Sequence, residues 1–434
     1  MPNDPNTTAD SVMRLSYPSH QGLNHHCSTP DCLVFGAVFL RVWRDSPPAL
    51  AMGRPSPSEV GMGAIMPSTQ SGQTVIESPT VLHLVGSATS AFYHDLSLVY
   101  AREALLPVSM QHRFAVVLPN GHWQYGPSLD VLSPPTQLGR LVDQLTAADL
   151  VVPYMFDPIG MTSYRSLFED VLRVPVVGSR AEVTAVATDK MWTKQVLAEA
   201  GVPVPKTFTA DRSTAIDYPV IVKPNREDNS RGLTLVDDAD GLEAAVEGAG
   251  TFEAGVLIEE YIPGRELRVA VVDTGDELYV PAIIEYGVTP DHPIRELDHK
   301  LALDEHGSPV AQSRGDQVPT ICPAEVTPAL RNALAEQARA AHLALGCRDY
   351  SLFDFRVDPH ERPWLLEAGL FWTFGRPSMI SKMIAADGRD TETIATEVWR
   401  RAMHRRRDQI VGCADVDALD QGGAVVGRQP ASAS

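Results

Sequence analysis

Residues 350–371 read YSLFDFRVDPHERPWLLEAGLF, two apolar stretches that each carry one carboxylate, Asp354 and Glu367. Side chains alternate faces along a strand, so Leu352, Asp354 and Arg356 share one face of the first stretch. The DPHERP turn closes a hairpin that brings the two acids together. Adjacent buried carboxylates repel unless a cation lies between them, which predicts a site for a hard divalent ion, Mg²⁺ above all. The alternative is a pair of strand acids that face water.

Composition limits the classes of protein to consider. The chain has 434 residues, enough for two or three packed subdomains. A hydrophobic content of 44% and a charged content of 21% are ordinary for a soluble globular enzyme. The net charge of -19 argues against general nucleic-acid binding, which needs a basic surface. No apolar run approaches the roughly 18 residues of a membrane span, so we expect a cytoplasmic protein without membrane contact.

The first 78 residues differ from the rest. Pro, Ser, Gly and Met are frequent and no periodicity is sustained, so we expect 1–78 to be a disordered leader or a mis-set start, with Met66 the true start. The segment HHCSTPDC (25–32) combines histidine and cysteine, but its spacing fits no closed zinc pattern. The five scattered cysteines form no secreted disulfide framework.

From residue 79 the pattern changes to buried strands that alternate with helices. Four segments read as strands: VLHLVGS (81–87), FAVVLP (114–119), DLVVPYMF (149–156) and VPVVGS (174–179). The alternation predicts a parallel α/β domain over 79–180, with its crevice at the strands' carboxyl ends. Tyr93 and Tyr164 follow such ends, and their rings are candidates to hold a substrate ring. Core packing is the commoner fate of tyrosine.

A lysine and a polar loop indicate phosphate binding. Lys223 ends the strand PVIVKP, and the loop that follows contains Ser230, Arg231 and Gly232. Backbone N–H groups of a small loop approach phosphate oxygens, and a lysine supplies a point charge. The GxxxxGK[ST] pattern is missing, so this is not a P-loop. A solvated turn with a surface lysine is the alternative.

A second lysine opens a helix. Thr188 is expected to cap DKMWTKQVLAEA, which puts Lys190 in the first turn. A cation there opposes the helix dipole, so an anion nearby would explain it, whereas an exposed lysine is the alternative. We expect subdomains over 181–257 and 258–407, with a flexible tail over 408–434.

The segment VLIEEYIPGRE (256–266) carries several acids. Glu259 and Glu260 end a strand, and Glu266 follows a Pro-Gly turn. Strand-end backbone groups with a carboxylate recognise an adenine edge, and a second carboxylate holds ribose hydroxyls. The alternative is that Glu266 pairs with Arg268, which shares its strand face.

Two arginines are candidates to bind substrate carboxylates. Arg356 shares the face of Asp354, and Arg376 follows Glu367 in a loop. A guanidinium binds a carboxylate in a bidentate fashion. Pairing with a neighbouring aspartate is the alternative for each.

Taken in order, these motifs resemble the ATP-grasp superfamily, and most broadly the D-alanine–D-alanine ligases. The resemblance spans roughly residues 81–388. It implies an α/β protein with an ATP-grasp fold, in which an N-terminal parallel α/β domain precedes two α+β subdomains that sandwich ATP. ATP and Mg²⁺ are the implied cofactors. Relatives of this fold are often dimers, so a homodimer is an expectation.

The resemblance also implies roles for single residues. Lys190 and Lys223 would hold the ATP phosphates, with the loop Ser230–Gly232 closing over them. Adenine would contact four consecutive residues: Glu259, Glu260, Tyr261 and Ile262. Glu266 would bind ribose.

The remaining implied roles concern the metal and the second substrate. Asp354 and Glu367 would hold Mg²⁺. Lys300 matches a lysine that reaches the γ-phosphate. Ser378 matches a serine that contacts the carboxylate of the second substrate.

Two departures from D-alanine–D-alanine ligases stand out. Those enzymes read Glu-x-Asn at the metal, whereas Gly369 stands at the Asn position. They also carry an arginine two residues before the metal aspartate, where this chain has Leu352. Loss of an oxyanion donor costs about 2–4 kcal/mol in acyl transfer. The departures therefore favour an electrophile other than an ordinary carboxyl.

The segment GCRDYSLFDFRVDPHERPWLLEAGLFWTFGRPSMISKM (346–383) resembles a narrower family, the mycosporine-glycine–amino acid ligases of mycosporine-like amino acid biosynthesis (MysD type). LHLVGSA (82–88) and DPIGMTSYRSLF (157–168) agree with it. This resemblance implies that ATP phosphorylates the ring oxygen of mycosporine-glycine and that the amine of Ser, Thr, Ala or Gly displaces phosphate. The alternatives are a D-alanyl dipeptide ligase and a nucleotide-binding module without turnover.

Overall fold

Three sheets and their flanking helices make up the part of the chain that the computed structural model describes. HHCSTPDC, Met66 and Lys300 lie outside that part. No helix within it is both long and apolar enough to span a bilayer. The described residues are 78–208, 216–253, 255–295, 309, 319–371, 373–376 and 378–420, with side chains described as far as 405.

The first sheet has four strands in the order β3-β2-β1-β4. β1 runs parallel to β2 and β4, whereas β3 pairs antiparallel with β2. The strands are β1 (Thr80–Gly86), β2 (Gln111–Val117), β3 (Trp123–Gly126) and β4 (Leu150–Pro153). The α-helices here are α1 (Ala91–Arg102), α2 (Val142–Thr146), α3 (Pro158–Met161) and α4 (Ser163–Ser166). The segment predicted as a fourth strand, VPVVGS, makes a single parallel bridge between Val151 and Val176.

The central sheet is antiparallel, in the order β5-β8-β6-β7. Its strands are β5 (Thr207–Phe208), β6 (Val220–Pro224), β7 (Thr234–Val236) and β8 (Val256–Glu260). The helices of this part are α5 (Ala181–Thr188), α6 (Lys190–Glu199) and α7 (Leu242–Gly250). The expected boundary between residues 257 and 258 falls inside β8. All of β8 pairs with β6, so the central sheet extends to Glu260.

Helix α6 does not begin as predicted. Thr188 is the last residue of α5, and Asp189 is the N-cap of α6. The Asp189 carboxylate accepts a hydrogen bond from the Trp192 backbone N–H at 3.0 Å. A carboxylate satisfies a first-turn N–H and also favours the helix dipole, which explains why Asp189 caps in place of Thr188.

The third sheet is antiparallel and runs β12-β11-β9-β13-β14, with β10 also paired to β9. Its strands are β9 (Arg265–Asp273), β10 (Leu278–Tyr279), β11 (Ile284–Tyr286), β12 (Thr320–Ile321), β13 (Tyr350–Val357) and β14 (Pro363–Gly369). Its helices are α8 (Pro328–Ala344), α9 (Met379–Ala386) and α10 (Thr391–Asp420). The predicted hairpin of residues 350–371 is therefore present as β13 and β14.

Apolar packing fixes the third sheet on both faces. One core joins Leu352 and Ala270 to Val81 and Val116 of the first sheet. The other core packs Phe353 and its neighbours against α8 and α6. Because β13 is buried along its whole length, its polar side chains are held in fixed positions.

Candidate active site

The two hairpin acids lie directly opposite each other. Asp354 on β13 pairs in register with Glu367 on β14, just before a bulge at Phe355. Asp354 is buried, whereas the Glu367 side chain is 29% exposed. A β-bulge redirects the side chains that follow it, so the register of the hairpin changes directly after the carboxylate pair.

Two cavities meet at this carboxylate pair. The inner cavity lies under the central sheet and includes Ile221, Lys223, Ser230, Glu260, Ile262 and Arg356. The outer cavity includes Leu96, Tyr100, Phe156, Leu352, Leu370 and Met379. Residues that line both are Lys190, Glu227, Asp228, Asn229, Arg295, Asp354 and Glu367. A group transferred from one cavity to the other would therefore pass the two acids, Lys190 and Arg295.

An arginine on the neighbouring strand holds Asp354. Arg268 lies opposite Asp354 on the neighbouring strand β9, and its Nε and Nη2 donate to the two carboxylate oxygens at 2.5 and 2.6 Å. Burial opposes the charged guanidinium, but the Asp354 carboxylate outweighs burial and raises the pKa of Arg268. The alternative pairing of Arg268 with Glu266 does not occur. Glu266 instead accepts from Arg295 at 2.6 Å.

The lysines of the inner cavity have different partners. Lys190 donates from Nζ to the Glu227 carbonyl at 2.6 Å and lies 3.9 Å from Glu367. Lys223 donates to Glu259 at 2.5 Å, and Lys194 lies 2.8 Å from the other oxygen of Glu259. The structure thus adds Lys194 to the charged residues around the inner cavity. Its position one helical turn after Lys190 is the sequence signal that could have indicated it.

Glu259 is a buried anion between two cations. Burial alone would raise its pKa, but the ammonium groups of Lys194 and Lys223 outweigh burial and hold the pKa at about 2. Its carboxylate is thus engaged by lysines. A ligand in the inner cavity would meet the backbone of the strand end and the Glu260, Tyr261 and Ile262 side chains.

The loop after Lys223 has an unusual backbone. Asn229 and Ser230 both have left-handed φ angles, 56° and 61°, and Gly232 follows at 71°. Non-glycine residues in this region are costly and cluster at ligand sites. The Ser230 hydroxyl donates to the Arg295 carbonyl at 2.6 Å, which ties the loop to the wall of the cavity. The Arg231 guanidinium lies 5.2 Å from the Phe252 ring centroid.

The two arginines predicted to bind substrate carboxylates lie away from the outer cavity. Arg356 lines the inner cavity and donates to the Ile262 carbonyl at 2.9 Å, the Pro293 carbonyl at 3.0 Å and the Tyr261 hydroxyl at 3.1 Å. Arg376 is exposed, and its backbone N–H donates to the Glu103 carbonyl. Neither residue is part of the outer cavity wall.

The candidate substrate residues are also dispersed. Tyr93 lies beside the loop that follows Lys223, where burial and the Asp228 carboxylate raise the pKa of its hydroxyl. Tyr164 packs on Trp123 in the core of the first sheet, with ring centroids 5.5 Å apart. Ser378 is the buried N-cap of α9, and its hydroxyl has no hydrogen-bond partner among the described residues.

The donor set fits one Mg²⁺ and the phosphates of ATP. Asp354 and Glu367 offer only oxygen, which hard divalent ions prefer. Among the described residues no cluster of three or more His, Cys, Asp or Glu side chains forms a metal site. A Mg²⁺ held by two carboxylates would complete its octahedral shell with phosphate oxygens and water. Lys190, Lys223 and Arg295 supply positive charge beside them.

Comparisons with known proteins agree with this geometry. A model of the D-Ala–D-Ala ligase C-terminus matches residues 195–399. The D-alanine–D-alanine ligase of Alcanivorax borkumensis is 31% identical over 237 residues, which cover 54% of this chain and 71% of that protein. D-alanine–D-alanine ligase A of Mesorhizobium japonicum is 28% identical over 350 residues, 72% of this chain and 95% of that one.

Solved structures share the fold. The D-alanine–D-alanine ligase of Coxiella burnetii superposes with a TM-score of 0.61 at 18% identity, covering 79% of this chain and 99% of that one. This likeness confirms the predicted ATP-grasp fold. With these relatives, the chain belongs to the D-alanine–D-alanine ligase family and is an ATP-dependent ligase that forms a carbon–nitrogen bond.

Proposed function

We propose that the protein joins mycosporine-glycine to a small amino acid of the Ser, Thr, Ala or Gly type. The products would be ADP, phosphate and an imine-type mycosporine-like amino acid such as shinorine or porphyra-334. The observation that carries the proposal is an uncharged residue, Leu352, in the wall of the outer cavity on the strand that carries Asp354. Leu352, which is 1% exposed, lines the cavity two residues before Asp354.

The outer cavity suits a ring better than a methyl side chain. Tyr100 and Phe156 lie with ring centroids 5.0 Å apart, and Phe371 meets Phe156 edge-on at 6.0 Å. Aromatic and aliphatic walls of this kind hold flat, partly apolar ligands through buried area. A cyclohexenone placed here would direct its ring oxygen toward the shared wall of the two cavities.

The charged residues fit transfer of a phosphoryl group to that oxygen. When bound, ATP supplies the phosphoryl group and Mg²⁺ neutralises its charge. Lys190 and Arg295 line both cavities, so they would stabilise the negative charge of the phosphoryl group throughout its transfer from the inner to the outer cavity. An enol phosphate needs no tetrahedral carboxylate intermediate, which is consistent with an uncharged Leu352.

The second candidate is a D-alanine–D-alanine dipeptide ligase. The relatives favour it, since the Alcanivorax borkumensis and Mesorhizobium japonicum proteins are D-alanine–D-alanine ligases. Leu352 and Gly369 speak against it, because the resemblance places an arginine and an asparagine at these positions. The reaction consumes ATP, so we place it in the cytoplasm. A homodimer stays a prediction.

Mass spectrometry of the purified protein tests the proposal. The reaction contains ATP, Mg²⁺, mycosporine-glycine and a panel of amino acids. A new mass equal to mycosporine-glycine plus an amino acid less water, together with ADP, supports it. ADP formed only with D-alanine or another amino-acid pair supports the dipeptide ligase. No ADP with any pairing supports a binding module without turnover.

A further inference from the structure

Among the described residues, one buried guanidinium lines the outer cavity and not the inner one; Arg226 also lines only the outer cavity, but it is exposed and pairs with Asp189. Arg268 lines the outer cavity, whereas Arg295 lines both and Arg356 only the inner one. Arg268 is 8% exposed, and its bidentate pair with Asp354 fixes its position. A buried, fixed guanidinium is preorganised to bind a planar anion.

A hydroxyl without a partner stands beside it. Tyr286 ends β11 and lines the outer cavity, and it is 4% exposed. Its hydroxyl has no hydrogen-bond partner among the described residues. Two guanidinium groups lie near the ring, with the Arg268 Cζ 5.5 Å and the Arg295 Cζ 3.5 Å from its centroid. A buried hydroxyl left unpaired is costly, so an acceptor that arrives with a ligand accounts for it.

We propose that Arg268 and the Tyr286 hydroxyl form a binding site for a carboxylate of the ligase's substrates. The inference deepens the proposed function and rests on it only for the identity of the substrates. On this proposal Arg268 binds the substrate carboxylate for which Arg356 and Arg376 are the candidates from sequence. It is built from β9 and β11, and it lies next to Asp354.

Tyr286→Phe is the sharpest test because it removes only the unpaired hydroxyl. Loss of a hydrogen bond to a charged group predicts a KM about ten- to a hundredfold higher for the substrate whose carboxylate occupies the site. The KM for ATP should stay within about twofold, and Tm should not fall, since the hydroxyl has no partner to lose. Tyr279→Phe is the matched control, because that hydroxyl donates to Asp387 outside the cavities.

Substrate analogues that lack a free carboxylate identify which substrate occupies the site. The wild type should use serine far better than ethanolamine if the amino acid occupies the site, and mycosporine-glycine far better than its methyl ester if the ring substrate does. Tyr286→Phe and Arg268→Lys should reduce that discrimination at least tenfold in one arm. Arg348→Lys alters an ion pair with Glu169 away from both cavities and should leave the discrimination unchanged.

Two outcomes would overturn the inference. The first is that both variants keep the wild-type discrimination in both arms. The second is that Arg268→Lys shifts only the Mg²⁺ dependence, which is the result expected of a residue that merely positions Asp354. If mycosporine-glycine is no substrate, D-alanine and ethylamine replace serine and ethanolamine in the same experiment. Failure of the proposed function is thereby separated from failure of the carboxylate site.

Discussion

Lys223 donates to Glu259 at 2.5 Å, and this contact joins two neighbouring strands of the central sheet beneath the inner cavity. Lys194 reaches the same carboxylate from α6 at 2.8 Å. The side chains of all three residues are at most 8% exposed. The cluster therefore links the helix that begins with Lys190 to the strands that form the cavity floor, so it should influence both stability and ATP binding.

Lys194→Met should destabilise the protein. The substitution removes one of the two cations on the buried Glu259 carboxylate and leaves Lys223 to balance its charge, so the free energy of unfolding should fall by about 2 kcal/mol, the loss expected for one contact to a charged group. Chemical unfolding measures the change. Lys206→Met is the control, because that lysine is exposed and its loss should cost less than about 0.5 kcal/mol. Equal losses in the two variants would mean that the cluster does not stabilise the fold.

The Glu259 cluster also predicts a dependence on pH. The pKa of Glu259 is held at about 2, below the 4.5 of an unperturbed glutamate. Its stabilisation is therefore complete above pH 4.5 and is lost as pH falls toward 2. The difference in unfolding free energy between wild type and Glu259→Gln should shrink over this range in urea titrations. A difference independent of pH would contradict the assignment.

Glu367→Gln should weaken the response to Mg²⁺. The amide keeps the shape of the side chain but removes the negative charge that a hard cation prefers. We expect the Mg²⁺ concentration for half-maximal ADP formation to rise at least about tenfold and kcat to fall about a hundredfold. Glu277→Gln, an exposed acid in the turn between β9 and β10, is the control. Unchanged Mg²⁺ dependence would remove Glu367 from the metal site.

Leu352→Arg tests whether the uncharged position matters. The new guanidinium would enter the outer cavity on the strand next to Arg268, where the substrate ring is expected. We expect kcat/KM for mycosporine-glycine to fall at least about a hundredfold, because a buried charge replaces apolar contact. Leu352→Met, which keeps volume and polarity, should stay within about tenfold. Intact turnover in Leu352→Arg would remove the support that Leu352 gives to the proposed function.

Much of the fold follows from local pattern. Buried strands that alternate with helices indicate a parallel sheet, and the structure has one in β1, β2 and β4. The pairing of Asp354 with Glu367 also follows, since a short turn fixes the register of a hairpin. The N-cap of α6 and the single bridge at Val176 do not follow from local pattern. The exact end of a helix or strand is decided among neighbouring residues within one or two positions.

The sequence by itself determined which segments carry charge and where the hairpin acids meet, because hydrophobic period and turn length act over a few residues. Only the tertiary structure decided the partners. Arg268 pairs with Asp354 and not Glu266, and Lys194 joins Glu259, because packing of the strands and α6 brings together residues far apart in the chain. Tyr286 meets Arg268 for the same reason. Long-range register, which no local pattern contains, sets the chemistry of the outer cavity.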